Sequence, residues 1–309
     1  MKRASLTIAA LVVAMLLWAS SFVALKYTFG LFDPWFVIFA RMAIALLFVL
    51  LVFPSTFKAL GRATRHDLRL LTLMALFEPG LYFLFEAEAL QNTSASQAGI
   101  ITALLPVMVA LGAWLWMEER LTRRIVVGGA LAFTGTVWLS LGAPETPGAP
   151  DPLYGNFMEF LAMVSAVGYT LTLKHLTRRF TPLFLTAFQA LLGTIFFAIV
   201  MLVTGTLIPT DWPAAPTLAL VYLAIGVTFA AYGLYNYGVG KIPASQASLY
   251  VNLIPLFAVL LGWVLLGERL GWYEFLGATM ILGGVIYAQS DAPKALEETI
   301  ADPETPKGG

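Results

Sequence analysis

Glu78 is the residue of this sequence that most directly suggests chemistry, because it lies near the middle of an apolar stretch and precedes Pro79 and Gly80. An ionised carboxylate at the centre of a lipid bilayer costs about 3 kcal/mol or more, so such residues face a cavity or a partner. Proline removes a helix hydrogen bond and glycine loosens the backbone, which predicts a bend here. We interpret Glu78 either as a cavity group that binds a substrate ammonium or a proton, or as a protonated acid that hydrogen-bonds to a neighbouring helix.

Two further polar residues follow Glu78 at helical spacing. Tyr82 and Glu86 lie four and eight residues later, on one gradually rotating helix face. Both are therefore candidates to extend a cavity, and Glu86 joins Glu78 as a candidate for coupling to protons. Glu88 is interpreted as a solvated residue near the helix end.

Polar aromatic residues cluster in a later stretch, at Tyr232, Tyr235, Asn236 and Tyr237. The first three are spaced i, i+3 and i+4 and therefore share one helix face. Rings with hydroxyl groups suit an amphipathic solute that has an apolar body and a polar tip. The alternative is an aromatic belt at the membrane surface, which best explains Tyr237.

Four more residues are candidate substrate contacts with an equally simple structural role. Tyr250 and Asn252 precede Pro255, and a proline within a membrane helix frees carbonyl groups for a ligand or a neighbouring helix. Their polar groups could equally form hydrogen bonds between helices. Trp18 and Tyr169 could stack on a substrate or pack against other side chains.

Three basic residues lie within or at the ends of apolar stretches. Arg41 is costly within a span, so we expect it to have a partner, either a lipid phosphate or a carboxylate in a cavity. Lys26 and Lys174 lie at corresponding helix ends in the two halves of the chain. We expect their side chains to extend to the membrane surface.

The composition requires lipid as the solvent. Hydrophobic residues make up 59% of the chain and charged residues 12%, with a mean hydropathy of +0.82, whereas a soluble domain has about 45–50% apolar and 25% charged residues. The chain has no cysteine and two histidines, and it carries no P-loop, dinucleotide-binding or zinc-protease motif. We therefore expect no metal, no cofactor, no nucleic-acid partner and no enzymatic activity.

Ten apolar stretches are long enough to cross a bilayer, which takes about 20 residues. The predicted fold class is therefore an all-α polytopic membrane protein. The apolar run after Met1-Lys2-Arg3 has no cleavage site, so we interpret it as the first span. We number the predicted helices α1 to α10, at residues 5–28, 33–53, 68–90, 95–117, 122–142, 153–174, 181–205, 216–238, 244–266 and 271–289.

The basic residues predict an orientation. Most of the 18 Lys and Arg residues lie in alternate connections and in the two terminal segments, and basic residues accumulate on the cytoplasmic side of membranes. We therefore expect a multi-pass protein of the cell inner (plasma) membrane with both termini in the cytoplasm. The polar tail at 291–309 is expected to be disordered.

The second half of the sequence repeats the first. We predict a five-helix repeat at 1–142, a connecting loop at 143–152 and a second repeat at 153–290. The first copy contains Ala95-Ser96-Gln97-Ala98, Pro106 and Glu119-Arg120-Leu121, and 149 positions later the second contains Ala244-Ser245-Gln246-Ala247, Pro255 and Glu268-Arg269-Leu270.

An odd number of helices in each repeat inserts the two repeats in opposite orientations. The first copy continues with Arg123 and Arg124 and the second with Trp272 and Tyr273, as expected for opposite faces of the bilayer. Inverted repeats allow alternating access, in which a site near the midplane opens first to one side and then to the other.

Glycines seven residues apart occur in both α5 and α10, and small residues let membrane helices approach closely. They predict packing between these helices, or a homodimer interface; the chain is thus expected to be a monomer or a homodimer through α5 and α10. The glycines are Gly128, Gly135, Gly277 and Gly284.

The sequence contains the doubled Pro106…Glu119-Arg120-Leu121 element together with Trp18-Ala19-Ser20-Ser21-Phe22 and Pro34. In these features it resembles the EamA family of the drug/metabolite transporter superfamily. The resemblance covers about residues 5–289. It implies a secondary transporter, often an exporter, of amino acids, related metabolites or small drugs. It also implies a central cavity between two groups of helices: α1, α4 and α3 form one group, and α6, α9 and α8 form the other. Helices α5 and α10 are then expected at the periphery. The aromatic residues of α8 favour the aromatic amino acid exporters of the family.

The predicted function is secondary transport, as an exporter, of small amphipathic metabolites such as amino acids by alternating access around a central cavity. A channel-like facilitator is one alternative. A transporter of sugar phosphates or nucleotide sugars would need paired basic residues in the cavity, for which only Arg41, Lys26 and Lys174 qualify. An intramembrane enzyme would need a nucleophile–base pair or a metal set, and the lack of cysteine and scarcity of histidine disfavour one.

Overall fold

The computed structural model describes residues 2–117, 122–242 and 244–289, and these residues form helices joined by short connections. Within these ranges there is no β-strand, only an isolated bridge between Thr146 and Ala149 in the connection between the repeats. The all-α fold class is therefore confirmed. Glu119-Arg120-Leu121 and the predicted tail at 291–309 lie outside the described residues.

Nine of the described helices are long and apolar enough to cross a membrane. The tenth, α10, has 17 residues, fewer than the about 20 that a span usually needs, so ten spans stay a prediction. The helices are α1 Lys2–Phe29, α2 Pro34–Val52, α3 Arg65–Asn92, α4 Ala95–Trp116, α5 Arg123–Gly142, α6 Pro152–Leu176, α7 Pro182–Thr204, α8 Ala214–Lys241, α9 Gln246–Leu266 and α10 Trp272–Ala288.

Several helices begin at a residue whose side chain caps them. Asp33, Asp151 and Thr181 each accept a hydrogen bond from a backbone N–H two or three residues later, and a proline follows each of them. A capping oxygen satisfies a free N–H group of the first turn, and proline has no N–H group to lose there. These three helix starts therefore follow from the local sequence.

The helices α3 and α8 are interrupted near their midpoints. In α3 the segment Leu76–Leu81 forms a wide π-type turn in which Glu78 leaves the helical conformation (φ −150°, ψ 114°), as the Glu-Pro-Gly sequence predicts. In α8 the equivalent segment Leu223–Ala231 is also π-helical, although it contains no proline. The sequence therefore predicts the first irregularity and not the second.

The contacts of Thr93 show that the repeats are inverted. The carbonyl of Thr93 accepts a hydrogen bond from Lys26 at the end of α1, and its hydroxyl lies 2.7 Å from Asn156 Oδ1 at the start of α6. Because α1 and α6 are equivalent helices, the meeting of an end with a start means that they run in opposite directions. We call this side of the bundle the Lys26 end and the opposite side the Lys174 end.

Two equivalent lysines donate hydrogen bonds to the carbonyl groups at the C-terminal ends of the interrupted helices. Lys26 donates to the carbonyl groups of Leu90 (2.9 Å) and Thr93 at the end of α3. Lys174 donates to the carbonyls of Val239 and Ile242 at the end of α8, both at 2.8 Å. Cations favour helix C-termini because the last carbonyls have no partner in the helix. The lysines therefore hold helix ends, which differs from the expected extension to the membrane surface.

Glu268 of the second Glu-Arg-Leu element joins the two repeats. Its carboxylate accepts hydrogen bonds from the backbone N–H groups of Ala95 and Ser96, both at 2.9 Å, and from the Ser96 hydroxyl at 2.6 Å. Glu268 follows α9, and Ala95 begins α4, so this carboxylate caps a helix of the other repeat.

The glycine faces of α5 and α10 pack against each other within the chain. A methyl group added to Gly284 would lie 2.5 Å from the carbonyl oxygen of Gly128, and one added to Gly277 would lie 3.0 Å from that of Gly135. Such distances require glycine at the contact. These faces are therefore occupied by a neighbour in the same chain, and the oligomeric state stays a prediction.

Substituting Gly284→Ala tests this contact. The added methyl group has no room and should destabilise the protein by about 1–3 kcal/mol. In the matched control Gly283→Ala, the new methyl group meets no atom within 4 Å, and its stability should be unchanged or higher by about 0.5–1 kcal/mol. The midpoint of thermal unfolding in detergent measures both changes. Equal midpoints for the two variants would show that α5 and α10 do not pack in this way.

Candidate substrate-binding site

A central cavity lies between helices of both repeats. Its empty volume is about 510 Å³, including its opening. The polar and aromatic residues around it are Trp18, Ser21, Phe22, Arg41, Glu78, Tyr82, Phe83, Glu86, Thr102, Tyr169, Thr170, Tyr232 and Tyr235.

Both the side chain and the backbone of Glu78 accept hydrogen bonds that hold it at the cavity. The Tyr232 hydroxyl of α8 donates a hydrogen bond to Glu78 Oε1, and Gln189 Nε2 of α7 donates to the Glu78 carbonyl oxygen at 3.1 Å. The side chain is buried and lines the cavity. Glu78 therefore bonds to a neighbouring helix and also faces the cavity, and its binding of an ammonium group or a proton stays a prediction.

Glu86 lies two turns beyond Glu78 in α3 and has one oxygen available. The Tyr82 hydroxyl donates to Glu86 Oε1 at 3.0 Å, whereas Glu86 Oε2 is buried without a hydrogen-bond partner among the described residues. A buried carboxylate oxygen without a donor is unfavourable unless a ligand or a proton occupies it. This oxygen can therefore accept a hydrogen bond from a bound molecule.

Arg41 supplies the positive charge of the cavity. Its Nε donates to Thr228 Oγ1 at 2.9 Å, and its guanidinium carbon lies 4.4 Å from the centre of the Phe83 ring. These contacts fix a side chain that is 1% exposed. Its Nη1 is buried with no hydrogen-bond partner in the described part of the chain, and the charges of Glu86 and Glu78 attract it. The contacts of Arg41 among the described residues are thus the Thr228 hydroxyl and the Phe83 ring, and a carboxylate partner stays a prediction.

Four aromatic rings form one wall of the cavity. The Trp18 ring lies 5.1 Å from Tyr232 and 4.8 Å from Tyr235, and the Tyr169 ring lies 6.2 Å from Tyr235. The indole Nε1 of Trp18 has no partner among the described residues. Such a wall can contact an apolar body with its ring faces and a polar group with its N–H.

Comparison with known proteins identifies the fold with a family. The model of the EamA-like transporter family matches residues 5–141 and 153–288, which is nearly the whole chain. The chain belongs to the EamA-like transporter family. This confirms the resemblance inferred from the doubled Pro…Glu-Arg-Leu element.

Individual relatives of this EamA-like chain agree. It is 27% identical over 272 residues to YetK, an uncharacterized transporter of Bacillus subtilis (strain 168), covering 84% of this chain and 80% of YetK. It is 26% identical over 275 residues to an uncharacterized transporter of Archaeoglobus fulgidus, covering 89% and 94%. A solved crystal structure superposes with a TM-score of 0.67 at 21% identity, covering 94% of this chain and 97% of that one; this shows the fold alone. The protein is therefore a membrane transporter.

The structure brings together six of the predicted site residues of this EamA-like chain. These are the residues that line the central cavity: Trp18, Glu78, Tyr82, Glu86, Tyr169 and Tyr232. Their binding of a substrate stays a prediction, but their placement around one space is what that prediction requires.

Three predicted site residues lie away from the cavity. Asn236 is behind the aromatic wall, where it accepts a hydrogen bond from the Tyr169 hydroxyl at 2.6 Å and donates to Thr186 at 2.9 Å; it positions Tyr169. Tyr250 and Asn252 line a separate groove, whereas Val251 between them lines the cavity. Adjacent side chains along a helix point in different directions. Because Val251 faces the cavity, Tyr250 and Asn252 on either side of it do not.

Sequence reasoning did not identify Glu159 of α6. This residue is 0% exposed, and neither of its carboxylate oxygens has a hydrogen-bond partner among the described residues. It lies within an apolar stretch, so the argument used for Glu78 would have found it. Its position only seven residues after Pro152 makes it look like a residue of the helix end.

We predict that Glu78→Gln weakens transport of solutes that carry an ammonium group. The amide keeps the shape of the side chain but removes its charge, and a hydrogen bond to a charged group contributes about 1.5–3 kcal/mol, so affinity should fall about tenfold or more. Uptake into proteoliposomes at a series of pH values measures both the loss and the flatter pH dependence that we expect. Glu88→Gln is the matched control, because Glu88 lies in the same helix and does not line the cavity. An unchanged profile in Glu78→Gln would remove this residue from the mechanism.

Proposed function

We propose that the protein is a secondary transporter that exports small amphipathic metabolites, most simply amino acids, across the inner membrane by alternating access. The observation that carries this proposal is the central cavity between two inverted repeats, which combines one buried arginine with two buried glutamates and an aromatic wall. The proposal includes a multi-pass arrangement with both termini in the cytoplasm, and it assigns no catalytic step to the chain.

The unpartnered atoms of the cavity suit a zwitterion. Among the described residues, Arg41 Nη1 and Trp18 Nε1 are buried donors without an acceptor, and Glu86 Oε2 is a buried acceptor without a donor. A solute with a carboxylate and an ammonium group would satisfy both kinds of atom at once. The aromatic wall would contact its apolar part.

A sugar-phosphate or nucleotide-sugar substrate is less well supported. A phosphate group carries more negative charge than one guanidinium balances, so a second basic residue in the cavity would be needed. Among the described residues that line the cavity, Arg41 is the one basic side chain. Lys26 and Lys174 donate to carbonyl groups at helix ends instead.

Differences between the two ends of the bundle support alternating access. At the Lys26 end, Gln97 of α4 bonds to Asn156 of α6 at 2.9 Å and to Glu274 of α10 at 2.6 Å, which joins the two repeats. At the Lys174 end, Gln246 is the equivalent residue, and its Oε1 has no hydrogen-bond partner among the described residues. Within the most apolar stretch of each helix, 72% of α4 is buried but only 28% of α9. Among the described residues, the polar network around Gln97 thus joins the repeats at the Lys26 end, and Gln246 Oε1 makes no equivalent bond at the Lys174 end.

Transport by the purified chain tests the proposal against a channel-like facilitator. Proteoliposomes preloaded with an unlabelled amino acid should take up the labelled amino acid faster than vesicles without preload. The reason is that a carrier changes conformation faster with a bound solute, and the preloaded amino acid supplies that solute on the inside. A simple pore would show no such acceleration. No flux above that of empty vesicles across a panel of amino acids and amines would contradict the proposed function.

The zwitterion preference is tested with Arg41→Gln. Loss of the guanidinium should reduce uptake of an amino acid about tenfold or more, since a hydrogen bond to a charged group contributes about 1.5–3 kcal/mol. Uptake of the matching amine, which lacks the carboxylate, should change much less. Arg69→Gln serves as the control, because Arg69 is exposed in the first turns of α3. Equal losses for the amino acid and the amine would show that Arg41 does not bind the carboxylate.

A further inference from the structure

Glu159 is a buried ionisable residue that the solute site does not use. It lies in α6 between two functional regions: Asn156, one turn before it, belongs to the polar network at the Lys26 end, and Met163, one turn after it, lines the cavity. Glu159 itself is 0% exposed and does not line the cavity. It therefore occupies the layer between the cavity and the Lys26 end.

The surroundings of Glu159 favour its neutral form. Neither of its oxygens has a hydrogen-bond partner among the described residues. An ionised carboxylate in this position would lack both a donor and a counter-charge inside the bilayer, which is strongly unfavourable. A bound proton would remove the charge, so the burial of Glu159 favours its protonated form in this conformation.

The ionisable groups that face Glu159 come from α3. The second half of α3 packs along α6, and its Glu86 and Tyr82 interact electrostatically with Glu159. The neighbouring α4, Ala95–Trp116, contains no ionisable residue, and the arginines of α5, Arg123 and Arg124, begin that helix at the Lys174 end. Two carboxylates and one tyrosine hydroxyl thus form a group that adjoins the solute site.

Glu86 links this group to the solute site. One of its oxygens is bound by Tyr82, the other has no hydrogen-bond partner among the described residues, and the charge of Arg41 acts on it from the cavity. Glu86 and Glu159 repel each other when both are ionised, and a single proton on the pair removes this repulsion. Glu86 is the member with a nearby cation, which leaves the proton on Glu159.

We propose that Glu159 is the proton-binding residue of this transporter, and that it passes its proton to and from Glu86 and so connects the cavity to the Lys26 end. In the transfer, the O–H bond of Glu159 breaks as an O–H bond on Glu86 forms, so the charge of the pair is unchanged. Because no hydrogen bond joins the two carboxyl groups, the proton crosses through a water molecule or after a side-chain rotation. An ammonium group on the solute competes with the proton for Glu86, which couples solute movement to proton movement. This inference rests on the proposed function, but the binding of a proton by Glu159 does not.

Infrared difference spectroscopy of the purified, full-length protein tests the proton site directly. A pH jump should produce a carbonyl-stretch band of a protonated carboxylic acid in the wild type and in the control Glu145→Gln, whose substituted residue is exposed in the connection between the repeats. The band should be absent in Glu159→Gln. An identical band in Glu159→Gln and the wild type would overturn the proposal.

Transport assays test the coupling. In proteoliposomes, uptake driven by a pH gradient should fall at least tenfold in Glu159→Gln, whereas counterflow without a gradient should change less than twofold. Equal gradient-driven uptake in the variant and the wild type would overturn the coupling role. Absence of flux in the wild type would contradict the proposed function, and the infrared result would still decide the proton site.

A second variant covers the case in which Glu159→Gln does not fold, which gel filtration would reveal. Glu159→Asp keeps a carboxyl group but shortens the side chain by one methylene, so its protonated band should persist at a shifted frequency and gradient-driven uptake should be slowed. An unshifted band in Glu159→Asp would show that the band belongs to another residue and would overturn the proposal.

Discussion

The structure depends on how two interrupted helices satisfy their backbone groups inside the membrane. The π-type segments Leu76–Leu81 of α3 and Leu223–Ala231 of α8 lie at equivalent positions of the two repeats. Backbone groups that leave the helix pattern in a bilayer must bond within the protein or line a cavity. Gln189 of α7 donates a hydrogen bond to the backbone carbonyl of Glu78. The equivalent Arg41 of α2 donates one to the side-chain hydroxyl of Thr228. Each repeat thus stabilises the irregular segment of the other.

The same contacts place the site. Irregular segments at mid-membrane are tolerated where they border a cavity, and here both border the same one. Arg41 holds α8 with its Nε and presents Nη1 to the cavity, and Tyr232 begins the regular part of α8 and bonds to Glu78. Removing any of these links would free a buried polar group of the opposite repeat. The residues that we assign to the solute are therefore also residues that hold the bundle together.

The sequence predicts the periodic and local features well. Apolar length predicts the all-α fold, the 149-residue period predicts the two repeats, and the doubled Pro…Glu-Arg-Leu element predicts the family. Glu78, Tyr82 and Glu86 were found because a charge in an apolar stretch limits where it can face. Tyr250 and Asn252 were misplaced relative to the cavity because the 3-10 segment Tyr250–Asn252 interrupts the helical phase. The break in α8 carries no proline, and its segment packs against both α1 and α2, so no local sequence signal predicts it.

The two copies of the Ala-Ser-Gln-Ala element show what a duplication preserves and what it does not. The fold repeats, since Lys26 and Lys174 close equivalent helix ends with equivalent bonds. The side-chain network does not, because Gln97 meets Asn156 and Glu274, and the position equivalent to Glu274 in the first repeat is Ile125. If the repeats exchange conformations, the two ends therefore close with different side chains: the Gln97 network joins the repeats at the Lys26 end, whereas the Oε1 of the equivalent Gln246 at the Lys174 end has no hydrogen-bond partner among the described residues. The two repeats thus have similar backbones but different side chains at the two ends of the bundle. The two conformations therefore differ in free energy, and a proton or a solute can bias the exchange between them.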